Sequence, residues 1–453
     1  MTLPDGRIHL VGAGGSGMSA IAKLLVGRGH PLSGSDLRGG ASVEALADLD
    51  VPVHIGHHPE AVAGAVLVVA SSAVPDYDEE IEAARELGIP VWRRPQLLEA
   101  LTADIPTIGA TGTHGKTTTT AMLVTALRRM GEDPSFIVGG DLVDLGTNGH
   151  HGQDPLLVLE ADEAFRTFES LHLSGLVVTN VEHEHVDHFG SAEVLVDTFA
   201  AVAERVDGPV IACADDPGSA EVASRVGAIT YGIDEDADWR IGDLTGRQGG
   251  VSFQLTGPVG ATRVELAQPG RHVARNAAGA IALLVALGRP LQGAAAGVSA
   301  FHGVGRRWDH KGTVGGVVLY DDYAHHPTEV AAVLDAAAGT APGRVWAVFQ
   351  PHLYSRTERF SEEFGRALAI ADVVVVTDVF GAREEPVPGI TGELVADSAR
   401  EAGAAVVHYV PHRLELAAYI APLVEPGDLV ISLGAGDVTL LHGELAPMLD
   451  QRE

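Results

Sequence analysis

Residues 109–120 read G-A-T-G-T-H-G-K-T-T-T-T. An apolar run, Ile105–Ala110, precedes the glycines, and Lys116–Met130 has the composition of a helix, so the stretch reads as strand, loop, helix. Gly115-Lys116-Thr117 matches the end of a phosphate-binding loop. In such a loop backbone N–H groups cradle phosphates, the lysine reaches the outer phosphates, and the threonine hydroxyl is placed to ligate Mg²⁺. The strict pattern has glycine at position 110, where this chain has Ala110. The strand before and the helix after favour ATP over a turn without ligand.

The same alternation continues on both sides of this stretch. Upstream, Arg7–Val11 reads as a short buried strand, followed by a glycine turn, a helix from about Met18 to Gly29 and a strand ending near Asp36. Ala65–Ala70 is a continuous apolar run of the kind that a parallel sheet buries on both faces. Downstream, Leu156–Glu160 and Leu176–Thr179 are strands, Asp236–Glu265 is a small antiparallel excursion, and Asn276–Leu287 is a helix. A further unit starts near Lys311, with strands at Val317–Tyr320, Val345–Phe349, Val373–Val376 and Leu429–Leu433. This is an α/β pattern with right-handed crossovers and mostly parallel sheets. At about 150 residues per domain, 453 residues predict three domains. They are expected at 1–103 (Rossmann-like), 104–309 (a P-loop ATPase-like parallel sheet) and 310–453 (Rossmann-like).

Composition narrows the partners. The formal net charge of −31 disfavours nucleic acid and anionic membranes. Anionic ligands must then bind at local sites of backbone N–H groups, Lys, Arg and Mg²⁺. Cys213 is the only cysteine, so an internal disulfide and a cysteine metal cluster are excluded. No signal-peptide pattern and no membrane-length apolar run is visible, which makes the cytoplasm the default expectation.

A second glycine loop lies near the start. Residues 12–17 read G-A-G-G-S-G after a strand and before a helix, and Asp36 follows Gly17 by 19 residues. Gly12, Gly14, Gly15, Ser16 and Gly17 thus form a dinucleotide-type fingerprint. On pattern alone it serves NAD or FAD, another diphosphate ligand, or a tight turn with no ligand. Two phosphate loops in two α/β units argue for group transfer or ligation over hydride transfer.

Further segments occur in a telling order. They are E-A-D-E at 160–163, T-N-V-E-H-E-H-V-D at 179–187, P-G-R-H at 269–272 with Asn276, G-V-G-R-R-W at 303–308, D-D-Y-A-H-H-P-T-E at 321–329, F-Q-P-H-L-Y-S-R-T at 349–357 and G-A-G-D at 434–437. With G-T-H-G-K-T-T-T at 112–119, the chain resembles the Mur ligase family over essentially its whole length. The G-x-G-G-S-G-M-S opening and the paired His325-His326 point to the L-alanine-adding member.

The resemblance implies that the first domain holds UDP-N-acetylmuramate at the Gly12–Gly17 loop, Asp36 and Ser71. The central one holds ATP at Gly112, Thr113, Gly115, Lys116, Thr117, Thr118 and Asn276, with Arg307 and Asp322 completing the nucleotide site. The last one closes over them and helps bind the amino acid, with Tyr323, His325, His352 and Arg356 on the substrate side. It implies an acyl-phosphate reaction in which Lys116, Glu160, His185 and Arg307 act, and Mg²⁺ held by Thr117, Glu160 and His185. The expected assembly is a monomer or weak homodimer.

Each assignment has a plainer reading. Glu160 also fits a solvated strand end, Arg306-Arg307 a basic turn, and Asp321 and Asp322 a helix cap. His183, His185 and His188 conceivably bind zinc, but H-x-H-x-x-H lacks the i, i+4 helical spacing. The chain also departs from many relatives at Ala164-Phe165, Val273 and Leu353. A sister ligase that adds a peptide or another amino acid, an NAD-dependent oxidoreductase and a non-catalytic nucleotide binder are the competing readings. The intact Lys116 and Glu160 favour a ligase.

Overall fold

The computed structural model describes residues 2–182, 191–247, 249–382 and 384–451. Among the described residues, three sheets carry the fold. The first has five parallel strands, in the order Val53–Ile55, Leu32–Asp36, Ile8–Val11, Leu67–Ala70, Val91–Arg93. Its strand order reverses between Ile8–Val11 and Leu67–Ala70, the point of such a sheet where ligands bind. Gly12 and Ser71 directly follow those two strands.

The second sheet has ten strands. Its parallel centre runs Ile229–Gly232, Val210–Cys213, Gly175–Val178, Thr107–Thr111, Asp154–Glu160, Pro134–Leu142. One edge ends in the antiparallel strand Thr147–His150. The other continues through Trp239–Arg247, Gly250–Gly257 and Gly260–Leu266, the expected excursion. Trp239–Arg247 pairs in parallel with Ile229–Gly232, and Gly250–Gly257 and Gly260–Leu266 extend the edge beyond it.

The third sheet has six strands, in the order Asp309–Val314, Val317–Asp322, Leu429–Leu433, Val345–Phe349, Val373–Val376, Val407–Tyr409. Only Asp309–Val314 is antiparallel to its neighbour. Val373–Val376 is four valines, fully buried: β-branched side chains suit a strand covered on both faces.

Contacts group the chain into two compact units. The first comprises Met1–Asp243, Phe253–Val264 and Ala274–His302; the second comprises Leu244–Ser252, Glu265–Val273 and Gly303–Glu453. In the first unit one apolar core joins the five-stranded sheet to the central sheet, from Ile8 and Leu10 through Leu157 and Leu176 to Val222. The second unit has a core on each face of its sheet, one around Phe349 and Ile431 and the other around Trp346 and Leu441. The long final stretch of this unit runs from Gly303 and takes in the residues from Lys311 onward. The turn at Arg306–Trp308 bonds back to its sheet, Tyr323 N–H to Arg306 O at 2.8 Å and Trp308 N–H to Asp322 Oδ2 at 2.7 Å.

Candidate active site

In the first unit the loop Gly112–Gly115 leaves strand Thr107–Thr111, whose neighbours are Asp154–Glu160 on one side and Gly175–Val178 on the other. The helix Lys116–Arg129 follows, with Gly115 as its N-cap at φ +85°. A side chain at Gly115 would meet Asn276 Oδ1 at 2.7 Å. One at Gly112, φ +130°, would lie 2.1 Å from Thr179 Oγ1. The segment after Gly175–Val178 staples the loop from outside. Thr113 N–H donates to Asn180 O at 3.0 Å, His114 N–H to Asn180 Oδ1 at 2.7 Å, and Glu182 N–H to Thr113 Oγ1 at 2.9 Å. These bonds fix the backbone of the loop.

Lys116 Nζ lies 2.8 Å from Glu163 and donates to the carbonyls of Gly112 at 2.6 Å and Thr113 at 3.2 Å. Burial works against its charge, but Glu163, Asp162 and Glu160 outweigh burial and raise its pKa above the ordinary lysine value. Beside it, Thr117 Oγ1 donates to Glu160 Oε2 at 2.9 Å, and Gly139 N–H reaches the same oxygen at 3.0 Å. A side chain at Gly139 would stand 2.6 Å from that oxygen, so the carboxylate occupies the space that glycine leaves. Three carboxylates face one lysine, and two hard oxygens converge. This donor set suits a small divalent cation that prefers oxygen, such as Mg²⁺. Thr118 is buried in the first turn of the helix. His185, with His183 and His188, lies outside the described residues.

Glu163 escaped the sequence reading, although E-A-D-E was in view. The available signal was a cluster of acids closing an apolar strand in the same unit as Lys116. Asn180 was legible only as part of T-N-V-E; its bonds to the loop span 66 residues of sequence.

In the N-terminal loop, protein neighbours account for three glycines. Gly12, at φ +78°, leaves room for Ser71, whose Cβ is 3.0 Å from the position of a side chain there. Gly14 N–H donates to Asp36 Oδ2 at 2.8 Å, and a side chain on it would collide with that oxygen. Gly17 leaves room for the Arg94 guanidinium, 3.0 Å away. Gly15 is the N-cap of helix Ser16–Gly27. That helix is tied to the central sheet: Asn148 Nδ2 donates to Ser16 O at 2.9 Å and Lys23 Nζ to Asn148 Oδ1 at 2.8 Å.

In the second unit the loops after strands Val317–Asp322, Val345–Phe349 and Leu429–Leu433 carry the expected residues. Arg306 and Trp308 have left-handed backbones, φ +62° and +50°, in the turn that presents Arg307. Both arginines lie over the Tyr323 ring, Arg306 at 4.8 Å and Arg307 at 5.1 Å. Arg307 also reaches Glu329 at 3.5 Å. Arg306 donates to Gly434 O at 2.7 Å and Gly436 O at 3.2 Å, and stands 3.4 Å from buried Asp321.

Asp322 accepts N–H groups from Trp308 at 2.7 Å and Ala324 at 2.8 Å, so one oxygen holds the arginine turn and the other the loop after its own strand. Burial pushes its pKa up to about 6, against the pull of Arg307. His325 Nδ1 meets Tyr323 O at 2.9 Å, and its ring is 6.0 Å from that of His352, which stacks on Phe380. His326, read as a plain loop residue, is buried and caps helix Pro327–Ala338 together with Glu329. Leu353, φ +69°, caps the helix that carries Arg356.

A glycine loop between a buried parallel strand and a helix, with a lysine at the head of that helix and acidic oxygens beside it, defines the class of P-loop α/β proteins that handle nucleotide phosphates. Three family profiles match the chain: "Mur ligase family, catalytic domain" at residues 7–105, "Mur ligase middle domain" at 110–284 and "Mur ligase, glutamate ligase domain" at 306–436. A UDP-N-acetylmuramate–L-alanine ligase of Saccharopolyspora erythraea is 46% identical, over 97% of this chain and 92% of that protein. One of Rhodococcus jostii is 44% identical, over 98% and 96%. The crystal structure of UDP-N-acetylmuramate-alanine ligase MurC from Thermotoga maritima superposes with a TM-score of 0.86 at 27% identity, covering 99% of this chain and all of that one. The chain belongs to the Mur ligase family. Its fold is the three-domain α/β arrangement expected from the sequence. Among the described residues no helix is long and apolar enough to cross a membrane.

Proposed function

We propose that this chain joins L-alanine to UDP-N-acetylmuramate with ATP, giving UDP-N-acetylmuramoyl-L-alanine, ADP and phosphate, as a cytoplasmic step in making peptidoglycan precursors. The observation that carries the reading is Lys116 ringed by Glu160, Asp162 and Glu163 beside the Thr117–Glu160 oxygen pair. Near-full-length similarity to proteins named for this reaction supports it.

A carboxylate is a poor electrophile, and phosphorylation gives it a leaving group. The substrate carboxylate oxygen attacks the γ-phosphorus and ADP leaves. The alanine amine then attacks the acyl carbon, loses a proton, and the tetrahedral intermediate expels phosphate. Thr117 and Glu160 would hold Mg²⁺, with His185 as the further ligand that the resemblance assigns; when bound, the ion neutralises phosphate charge during transfer. Lys116 exchanges its Glu163 and carbonyl partners for phosphate oxygens. Asn276, packed on Gly115, borders the nucleotide. Arg307 is the cation assigned to the phosphates, and Asp322, assigned to the nucleotide site, also holds the Arg307 turn through Trp308 N–H. Tyr323, His325, His352 and Arg356 form the substrate side. On this reading residues 1–103 bind the UDP-sugar, 104–309 ATP, and 310–453 the amino acid.

The test is phosphate release with ATP, Mg²⁺ and UDP-N-acetylmuramate, scanning amino acids singly, with Lys116→Ala as control. Release that needs both the sugar and L-alanine, and vanishes in the control, supports the proposal. Release only with a peptide acceptor would move the assignment to a sister ligase.

A further inference from the structure

Residues 213–219 read C-A-D-D-P-G-S and join strand Val210–Cys213 to helix Pro217–Val226. That strand lies next to Gly175–Val178, whose other neighbour is Thr107–Thr111, the strand that leads into the phosphate loop. The two aspartates serve different partners. Asp215 accepts N–H groups from Ile233 at 2.8 Å and Asp234 at 2.9 Å, both just past strand Ile229–Gly232. Asp216 is the N-cap of helix Pro217–Val226 and accepts the Ser219 N–H at 2.7 Å. The same oxygen accepts the Val181 N–H at 2.9 Å, from 35 residues earlier in the chain.

The first of these bonds is what any helix start needs, because N–H groups in its first turn have no partner within the helix. The second is not a capping bond. Val181 directly follows Asn180, the residue that holds the phosphate loop through Thr113 N–H, His114 N–H and His114 O. Gly218 brings the same segment in from another direction. A side chain on it would stand 2.2 Å from Val181 O. Gly218 is not among the glycines with positive φ, so its backbone conformation does not require glycine; the approach of Val181 does. Glycine is a poorer helix former than alanine, and the helix gives up that propensity to let Val181 in. Two neighbouring residues, one by a bond and one by leaving space, thus fix the backbone next to Asn180.

We propose that Asp216 is a positioning residue for the phosphate loop, anchoring Val181 so that Asn180 sets the course of the Thr113–His114 backbone. The proposal rests on the reading of Gly112–Gly115 as the ATP loop. Asp216 acts through Val181 and Asn180 and touches no phosphate. A carboxylate oxygen suits the task, because it has the lone pairs to accept two N–H groups and its charge is favoured at a helix N-terminus. Backbone donors whose directions are set before binding cost no reorganisation when phosphate arrives, and the anchor supplies that rigidity.

The experiment is calorimetric titration of the full chain with ADP and with UDP-N-acetylmuramate, alongside thermal melts, for wild type, Asp216→Ala, Asp216→Asn, Gly218→Ala and Asp78→Ala. Asp78 caps helix Glu79–Glu86 in the same manner, accepting the Glu80 N–H at 3.0 Å, in the part of the chain built on the five-stranded sheet. Its variant therefore reports the loss of a cap alone. Asp216→Ala and Gly218→Ala are expected to weaken ADP about 10-fold and to leave UDP-N-acetylmuramate unchanged. Asp216→Asn keeps an oxygen acceptor and should bind ADP within about 3-fold of wild type. Asp78→Ala should melt lower and bind ADP as wild type does. If Asp216→Ala does not fold, Gly218→Ala carries the comparison. Variants at 216 and 218 that melt lower yet bind ADP normally overturn the proposal, because the cap then serves its helix alone. Equal weakening of both ligands overturns it too, as general loosening. Wild type that binds UDP-N-acetylmuramate but not ADP defeats the ATP reading of the loop itself.

Discussion

The Glu160 carboxylate accepts the Thr117 hydroxyl at 2.9 Å, in space that exists because residue 139 has no side chain. Thr117 opens a helix, Glu160 ends a strand, and Gly139 belongs to the next strand over. Three elements thus converge on one oxygen pair. Glu160→Gln and Thr117→Ala are each expected to lower kcat by about 100- to 1,000-fold, the range for removing one preorganised electrostatic group. Gly139→Ala should raise the Mg²⁺ concentration needed for half-maximal rate by displacing Glu160. Mg²⁺ titrations of the steady-state rate check both, and an unchanged Mg²⁺ requirement in Gly139→Ala would count against Glu160 as a ligand.

Lys116 and Glu163 form a buried pair whose members are not equivalent. Lys116→Ala leaves three carboxylates uncompensated and should cost about 3–5 kcal/mol of stability as well as activity. Adding Glu163→Gln removes part of that repulsion, so the double variant should regain stability without regaining activity. Denaturant melts and phosphate-release assays on wild type, Lys116→Ala and the double variant separate the two effects. Recovery of activity in the double variant would remove Lys116 from the chemistry.

Asp322 gives a pH signature. Its folded pKa of about 6 lies above the ordinary 3.8, so between these values the folded state binds more protons than the unfolded one. Its contribution is therefore present below about pH 4 and is lost as pH rises to about 6, by roughly 3 kcal/mol. The stability of the wild type minus that of Asp322→Asn should fall across this window, because the other carboxylates cancel in the difference. Unfolding free energies at pH 4.5 and 7 test this; a difference that grows with pH would mean Asp322 is held ionised.

Asn148 ties the N-terminal loop's helix to the central sheet through Ser16 and Lys23. A side chain on the adjacent Gly149 would come within 2.2 Å of Ala20 O in the same helix. Gly149→Ala should therefore push helix Ser16–Gly27 away and raise KM for the UDP-sugar, with KM for ATP little changed. Asn148→Ala should act in the same direction and cost about 1–3 kcal/mol of stability through its unsatisfied neighbours. Equal effects on both KM values would point to general loosening instead.

Much of the fold was legible because local pattern and tertiary role agree. Val345–Phe349, Val373–Val376 and Leu429–Leu433 appear as strands with the bounds expected, since each is a short apolar run that a parallel sheet buries on both faces. The glycine loop was legible because φ +130° at Gly112 and +85° at Gly115 disfavour other residues. Less visible were Pro134–Leu142 and Thr147–His150, which contain glycines and polar residues and become strands through pairing with their neighbours. His326 was read as a loop residue because its cap partner and burial depend on helix Pro327–Ala338 being docked.

By itself, then, the sequence determined the α/β class, the two glycine loops, the lysine and hydroxyl that follow the second of them, and the family. These are set by short-range periodicity, steric limits on φ and the composition of contiguous segments. Only the tertiary structure decided that Glu163 holds Lys116, that Asn180 staples the loop, that Gly139 makes room for Glu160, that Asp322 links the Arg306–Trp308 turn to its own loop and that Gly17 makes room for Arg94. Each of these depends on which strands lie side by side and which side chains then compete for one space. That outcome belongs to the packing of the whole sheet, and no window of sequence contains it.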